Sequence, residues 1–156
     1  MTDHPPIRVL FVCLGNICRS PTAEGVFRHL AAEAGLHVEA DSAGTGAWHV
    51  GEPPDSRARA AAEARGYSLD GIAARRVEPK DFRRFDLILA MDRDNLAVLN
   101  RMKPSATRAE VRLLIPTGRR GREVPDPWFT GRFGEALELI EAACRQLVAD
   151  LQRAAQ

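Results

Sequence analysis

Val9-Leu10-Phe11-Val12-Cys13-Leu14-Gly15-Asn16-Ile17-Cys18-Arg19-Ser20-Pro21 passes from an unbroken apolar run, through a thiol and a glycine, to a serine and a proline. The order reads as strand, tight loop, helix. Residues 7–12 are short and rich in apolar and β-branched side chains, which suits a strand. Gly15 and Asn16 tolerate φ > 0, so the chain is expected to turn sharply after Cys13. Ser20 fits an N-cap and Pro21 the first helical position, which places a helix start at the far end of the loop.

A loop wound this tightly ahead of a helix points successive backbone N–H groups inward, and the helix N-terminus adds partial positive charge. Residues Leu14, Gly15, Asn16, Ile17, Cys18, Arg19 and Ser20 therefore form a candidate cradle for an oxyanion such as phosphate. Cys13 stands at its edge, where those amides and Arg19 favour the ionised, nucleophilic sulfur. The planar guanidinium of Arg19 can grip two phosphate oxygens at once. A thiolate beneath oxygens held by amides and a guanidinium is what phosphoryl transfer to sulfur requires. Cys18, in the same loop, is expected to trap an oxidised Cys13 as a disulfide, because a neighbouring thiol condenses with a sulfenic acid.

With 156 residues, 45% of them hydrophobic, the chain is the size of one domain, and 1–156 is read as a single one. A formal net charge of +1, with the charges scattered, gives no long-range argument for nucleic acid or for a membrane surface. The start of the chain is polar and proline-containing, and no run approaches the ~18 apolar residues of a membrane span. Three cysteines, two of them in one loop, fit a reducing compartment better than a disulfide framework, so a cytoplasmic location is expected.

Outward from the loop, Ala23, Val26, Phe27, Leu30 and Ala34 recur at helical spacing and stop at Gly35. Residues 37–42 alternate as a second strand and run into Gly44-Thr45-Gly46. Asp55 is placed to cap an alanine-rich helix ending at Gly66. Residues 85–90 read as a third strand followed by a helix capped by Asp92, with Leu96 and Leu99 inward, and 111–115 as a fourth. A loop over 117–131 holds Asp126-Pro127-Trp128-Phe129, and loops of that length are often functional. Leu137, Ile140, Cys144, Leu147, Val148 and Leu151 mark one face of a closing helix, with Cys144 as a core residue. Strands alternating with helices predict an α/β three-layer sandwich around a parallel sheet, with the site at the carboxyl ends of the strands.

The string Val12-Cys13-Leu14-Gly15-Asn16-Ile17-Cys18-Arg19-Ser20-Pro21 resembles the signature of the low-molecular-weight protein tyrosine phosphatases. Three further blocks follow in that family's order, beginning at Asp41, at Phe85 and at Asp126. The resemblance implies a four-stranded parallel sheet of order 2-1-3-4 with the phosphate loop between strand 1 and helix 1. It matches Cys13 to the nucleophile, Arg19 to the phosphate clamp and Asp126 to the general acid, a role the chemistry supports because a departing phenolate needs a proton. It further implies that Trp48, Trp128 and Phe129 wall the substrate pocket, that Asn16 and Ser42 brace the loop, and that Ser20 holds the thiolate. No metal or cofactor is implied, and the partner is a phosphotyrosine-containing protein, with a bacterial tyrosine kinase as the enzyme that makes it. One brace differs: the family often has a histidine before Ala-Arg-Gln, where this chain reads Gly71-Ile72-Ala73-Ala74-Arg75-Arg76. Trp128 and Phe129 replace the paired tyrosines of animal members, so control by phosphorylation of those tyrosines is not available.

Four rivals are weighed against hydrolysis of phosphotyrosine. Protein arginine phosphatases share the cysteine, arginine and acid, but carry a threonine just before the second loop cysteine where this chain has Ile17. An arsenate reductase of the same fold needs further relay cysteines, and only Cys144 lies outside the loop. A silent phosphate-binding module would lack Cys13 or Asp126. A zinc site finds no standard ligand set in Cys13, Cys18 and the dispersed His4, His29, His37 and His49.

Overall fold

In the computed structural model, which describes residues 5–116 and 122–155, the opening apolar run forms β1 (Ile7–Cys13). Its side chains alternate. Val9, Phe11 and Cys13 pack into one core, Leu10 and Val12 into another, and all five are at most 3% exposed. A strand covered on both faces is the centre of a parallel sheet. β1 pairs in parallel with β2 (Val38–Gly44) on one side and β3 (Leu87–Ala90) on the other, and β4 (Glu110–Leu113) continues beyond β3. The observed order, β2-β1-β3-β4, is the one the resemblance implies.

Helices α1 (Arg19–Glu33), α2 (Ser56–Ala64) and α6 (Phe133–Ala154) cover the face that buries Phe11. The short α3 (Asp81–Arg84) and α4 (Arg93–Met102) cover the other, through Phe82 and Leu99. Three layers result, and every parallel strand delivers its carboxyl end to one edge, where the β1–α1 loop lies. No helix among the described residues is long and apolar enough to cross a membrane.

Two caps are where the sequence puts them: Asp55 accepts from the Arg57 amide at 2.8 Å, and Asp92 from the Asn95 amide at 2.8 Å. The cap of α1 differs. That helix begins at Arg19 with Cys18 in the cap position and no side-chain cap bond, so Ser20 and Pro21 fall inside the first turn. The Ser20 hydroxyl is engaged by the loop instead, and a proline in the first turn sacrifices no helical hydrogen bond. The four-residue helices α3 and α5 (Pro127–Thr130) are too short to show an apolar period, so the sequence reads α5 as part of the 117–131 loop and assigns no element to α3. Leu96 is only partly buried, beside a fully buried Leu99. His4 and the 117–121 part of the long loop lie outside the described residues.

Candidate active site

Cys13 is the last residue of β1, and its carbonyl accepts from the Thr45 amide at 2.9 Å, so strand geometry fixes the sulfur's root. Among the described residues Asn16 alone, glycines apart, has a left-handed backbone, at φ 57°. That turn aims its amide at Cys13 Sγ, 3.3 Å away. The Asn16 side chain is oriented by the Arg75 amide, which donates to Oδ1 at 3.0 Å and leaves Nδ2 to donate to Ser20 Oγ at 2.8 Å. Against an ionised sulfur the Ser20 hydroxyl is the donor, 3.0 Å from Cys13 Sγ. Two donors therefore converge on the sulfur, an arrangement that suits negative charge there. Gly44 lets the loop dock on β2, because a Cβ at that position would come within 2.8 Å of the Leu14 carbonyl oxygen.

Arg19, 3% exposed, is held from two further segments. Its NH1 donates to Asp92 Oδ2 at 2.7 Å and to the Val124 carbonyl at 3.0 Å, while NH2 lies 3.5 Å from Asp126 Oδ2. Burial opposes the charge, but Cys13, Asp92 and Asp126 outweigh it and raise the guanidinium above its ordinary range. Asp92 divides its oxygens between two tasks, Oδ1 capping α4 and Oδ2 holding Arg19. Asp126 likewise caps α5 through Oδ1, which accepts from the Trp128 amide at 3.1 Å, and turns Oδ2 toward Arg19. The Val124 amide, bonded to the Met91 carbonyl at 2.8 Å, hooks this segment to the end of β3.

These groups open into a cleft of ≈ 480 Å³ lined by Cys13, Arg19 and Asp126, by Leu14, Gly15, Ile17 and Cys18 of the loop, and by His49, Trp128 and Phe129. Three expectations need correction or extension. Trp48 lies outside the lining, 72% exposed, because its indole folds back over Gly46, the one place where a missing Cβ makes room for it. His49 takes that wall, its Nδ1 bonded to the Glu52 carboxylate at 3.1 Å and its ring 5.9 Å from that of Trp128. Ser42 spends its hydroxyl away from the loop, donating to buried Glu24 at 2.7 Å and tying β2 to α1.

A family model described as low molecular weight phosphotyrosine protein phosphatase matches residues 8–156. This chain belongs to that family. It is 50% identical over 151 residues to a low molecular weight protein-tyrosine-phosphatase of Streptomyces coelicolor, covering 91% of this chain and 92% of the relative. The low molecular weight protein-tyrosine-phosphatase YfkJ of Bacillus subtilis is 44% identical over 154 residues, covering 96% and 99%. Its crystal structure superimposes with a TM-score of 0.92 at 42% identity, over 99% of this chain and 100% of that one. The crystal structure of a Drosophila arginine phosphatase superimposes with a TM-score of 0.86 at 31% identity, over 93% and 98%.

Within this phosphatase family the chain departs at the loop brace, and the structure supplies a substitute. In the stretch where that histidine is expected, Ile72 packs, partly buried, against the core. The Arg75 main chain braces Asn16, and the Arg75 guanidinium is anchored by Asp81, fully buried, at 3.0 and 3.1 Å and by Asp41 at 3.1 Å. Cys18 is 5% exposed, and burial first, then Asp55, Cys13 and Asp126, push its thiol up to about 12 against the pull of Arg57. It is a protonated thiol beside Cys13, and both are free cysteines. Among the described residues no group of three or more His, Cys, Asp or Glu is placed to hold a metal ion.

Proposed function

We propose that this chain hydrolyses phosphotyrosine in proteins, and small aryl phosphates, through a cysteinyl-phosphate at Cys13 without a metal ion. The observation that carries the reading is the convergence of Cys13 Sγ, the Arg19 guanidinium and the Asp126 carboxyl on one cleft. Sulfur attacks phosphorus as the bond to the phenolic oxygen breaks, and protonated Asp126 gives its proton to the departing oxygen. Arg19 NH2, whose contact with Asp126 is long at 3.5 Å, transfers to a phosphoryl oxygen, while NH1 stays on Asp92 and Val124. Water then attacks phosphorus, the Asp126 carboxylate accepts its proton, and the S–P bond breaks. The Ser20 hydroxyl and Asn16 amide receive the sulfur as its charge returns.

Phosphotyrosine is favoured over phosphoarginine because Ile17, 7% exposed, lines the cleft with Trp128 and Phe129 as an apolar slot for a flat ring. An isoleucine offers no hydroxyl to position a water for cleavage of the P–N bond of phosphoarginine. Arsenate reduction finds no relay, since Cys144 is fully buried on α6 and burial pushes its thiol up. The working setting is a cytoplasmic domain spanning 1–156 that acts on the products of a tyrosine kinase, with Cys18 condensing onto an oxidised Cys13. The test measures kcat/KM, in the presence of chelator, on matched peptides carrying phosphotyrosine, phosphoserine or phosphoarginine. A clear phosphotyrosine preference, abolished in Cys13→Ser, is expected. A phosphoarginine preference overturns the substrate assignment, and activity that survives Cys13→Ser overturns the mechanism.

A further inference from the structure

The segment that carries the acid has little structure of its own to hold it. α5 is a single turn of four residues, of which only Pro127 is buried, and a helix that short does not persist on its own hydrogen bonds. Asp126 nevertheless has to meet a leaving oxygen at hydrogen-bond distance in every turnover. The bonds described above fix it from the side of Arg19 and Val124. At Trp128, on the other side, the contact is of a different kind.

The central carbon of the Arg57 guanidinium lies 5.3 Å from the centroid of the Trp128 ring and 4.6 Å from that of Phe133. Both are within the ~6 Å over which an aromatic face attracts a cation. Phe133 opens α6, is 9% exposed and packs in one cluster with Ile17, Cys18 and Ala58, so it is a fixed point. Arg57 is fixed as well. Its Nε and NH2 donate to the two oxygens of Asp55, at 3.2 and 3.1 Å, the fork that a planar guanidinium fits. Asp55 in turn caps α2 and donates its amide to the Ile17 carbonyl at 2.8 Å, inside the phosphate loop. A chain of contacts therefore runs from the cysteine loop through Asp55 and Arg57 to Trp128, whose amide donates to Asp126 Oδ1 at 3.1 Å. It reaches the acid by a route that does not pass through Arg19.

We propose that Arg57 is a positioning residue for the general acid: it holds Trp128 against Phe133 and Asp55, and through Trp128 it aims the Asp126 carboxyl into the cleft. The inference rests on the reading of Asp126 as the acid and adds the residue that orients it. A cation stacked on a ring has no donor–acceptor axis to satisfy, so it keeps the indole near while letting it shift slightly. Such a tether suits a carboxyl that serves a departing oxygen and then an arriving water.

The experiment measures kcat/KM, which covers the step in which the leaving group departs, on phenyl phosphate and on 4-nitrophenyl phosphate, whose leaving oxygen needs far less help from a proton. Arg57→Met keeps the length and apolar bulk of the side chain without its planar charge, and at a position 50% exposed the fold should survive, which thermal melting checks. A loss of roughly tenfold on phenyl phosphate and of no more than about twofold on 4-nitrophenyl phosphate is expected, the scale of a small misplacement of a reacting group. In an Asp126→Ala background the same substitution is expected to cost nothing further, because a residue that acts through the acid has no effect once the acid is gone. Should Arg57→Met melt early, Arg57→Lys carries the same comparison: it keeps the charge but not the fork, and a smaller loss confined to phenyl phosphate is expected. Unchanged kcat/KM, equal losses on the two esters, or the full loss repeated in the Asp126→Ala background each overturn the proposal, the last two assigning Arg57 to the stability of the loop as a whole. If Asp126→Ala itself slows both esters equally, the acid assignment falls, and the proposal with it.

Discussion

The loop from Cys13 to Ser20 and the segment from Asp126 to Phe129 face each other across the cleft, but they are built to different standards. In the first, Asn16, Arg19 and Ser20 are at most 3% exposed, and hydrogen bonds arrive from β2, from Arg75 and from Asp92. In the second, Asp126 is 23% exposed, Trp128 45% and Phe129 78%, and the hydrogen-bonded attachments are the cap on Trp128, the contact with Arg19 and the Val124 hook. The difference matches the demands of the two half-reactions. The group that forms and breaks the S–P bond needs one geometry throughout, whereas the acid must protonate a leaving group, let it depart and then receive water. Fixed nucleophile and adjustable acid are thus separate parts, and each can be broken alone.

The largest effect is expected at the fixed side. Cys13→Ser and Arg19→Ala each lower kcat on phenyl phosphate by at least about 10³-fold, the scale seen when a nucleophile or a transition-state charge clamp is removed. Circular dichroism and thermal melting should show the fold retained in Cys13→Ser. Asp126→Ala should cost roughly 10²-fold on phenolic esters and far less where the leaving group needs no proton. Equal losses on both would erase the contrast between the two regions. Asn16→Ala tests whether the fixed side depends on its brace: it removes the bond to Ser20 Oγ and strains the left-handed turn, and a loss of roughly tenfold in kcat with a smaller change in KM is expected. Asn16→Gly, which tolerates the turn but lacks the side chain, separates the two contributions.

The smallest effect concerns Cys18. Burial raises its thiol from the ordinary value of 9.0 to about 12 in the folded chain, so folding favours the protonated form. That contribution is fully present below the unfolded value and is lost as pH rises through the window from 9 toward 12, where the unfolded chain releases the proton first. Denaturation midpoints of wild type should therefore fall more steeply across that window than those of Cys18→Ala. After peroxide, wild type should regain activity under thiol more completely than Cys18→Ser does.

Legibility in the sequence followed locality. The strand, the glycine–asparagine turn and the loop chemistry are readable because Cys13, Asn16, Arg19 and Ser20 lie within one short stretch. The partners that hold Arg19 do not: Asp92 and Val124 stand 73 and 105 positions away. Asp92 does announce itself, but only as a helix cap after an apolar run, and nothing in that pattern tells which oxygen is left over. Ser20 looked like a cap because helix propensity is judged from neighbours, and a tertiary claim on its hydroxyl overrode the local one. Resemblance placed Trp48 in the pocket, but a motif transmits residue types and not rotamers. The space above Gly46, and the lone His49 that fills the wall, emerge only when the chain is folded.

The contacts that hold Arg19 NH1 also bear on how the cleft empties. A buried guanidinium with a thiolate as its sole neighbour would be a sink for inorganic phosphate, and an enzyme that held its product would idle between turnovers. With Asp92 Oδ2 at 2.7 Å and the Val124 carbonyl at 3.0 Å, part of the cation's field is engaged before any anion arrives. A dianion is held only while geometry and covalency add to that residual attraction, and free phosphate retains neither once the S–P bond is cut. The same contacts that position the clamp set the residence time of what it releases.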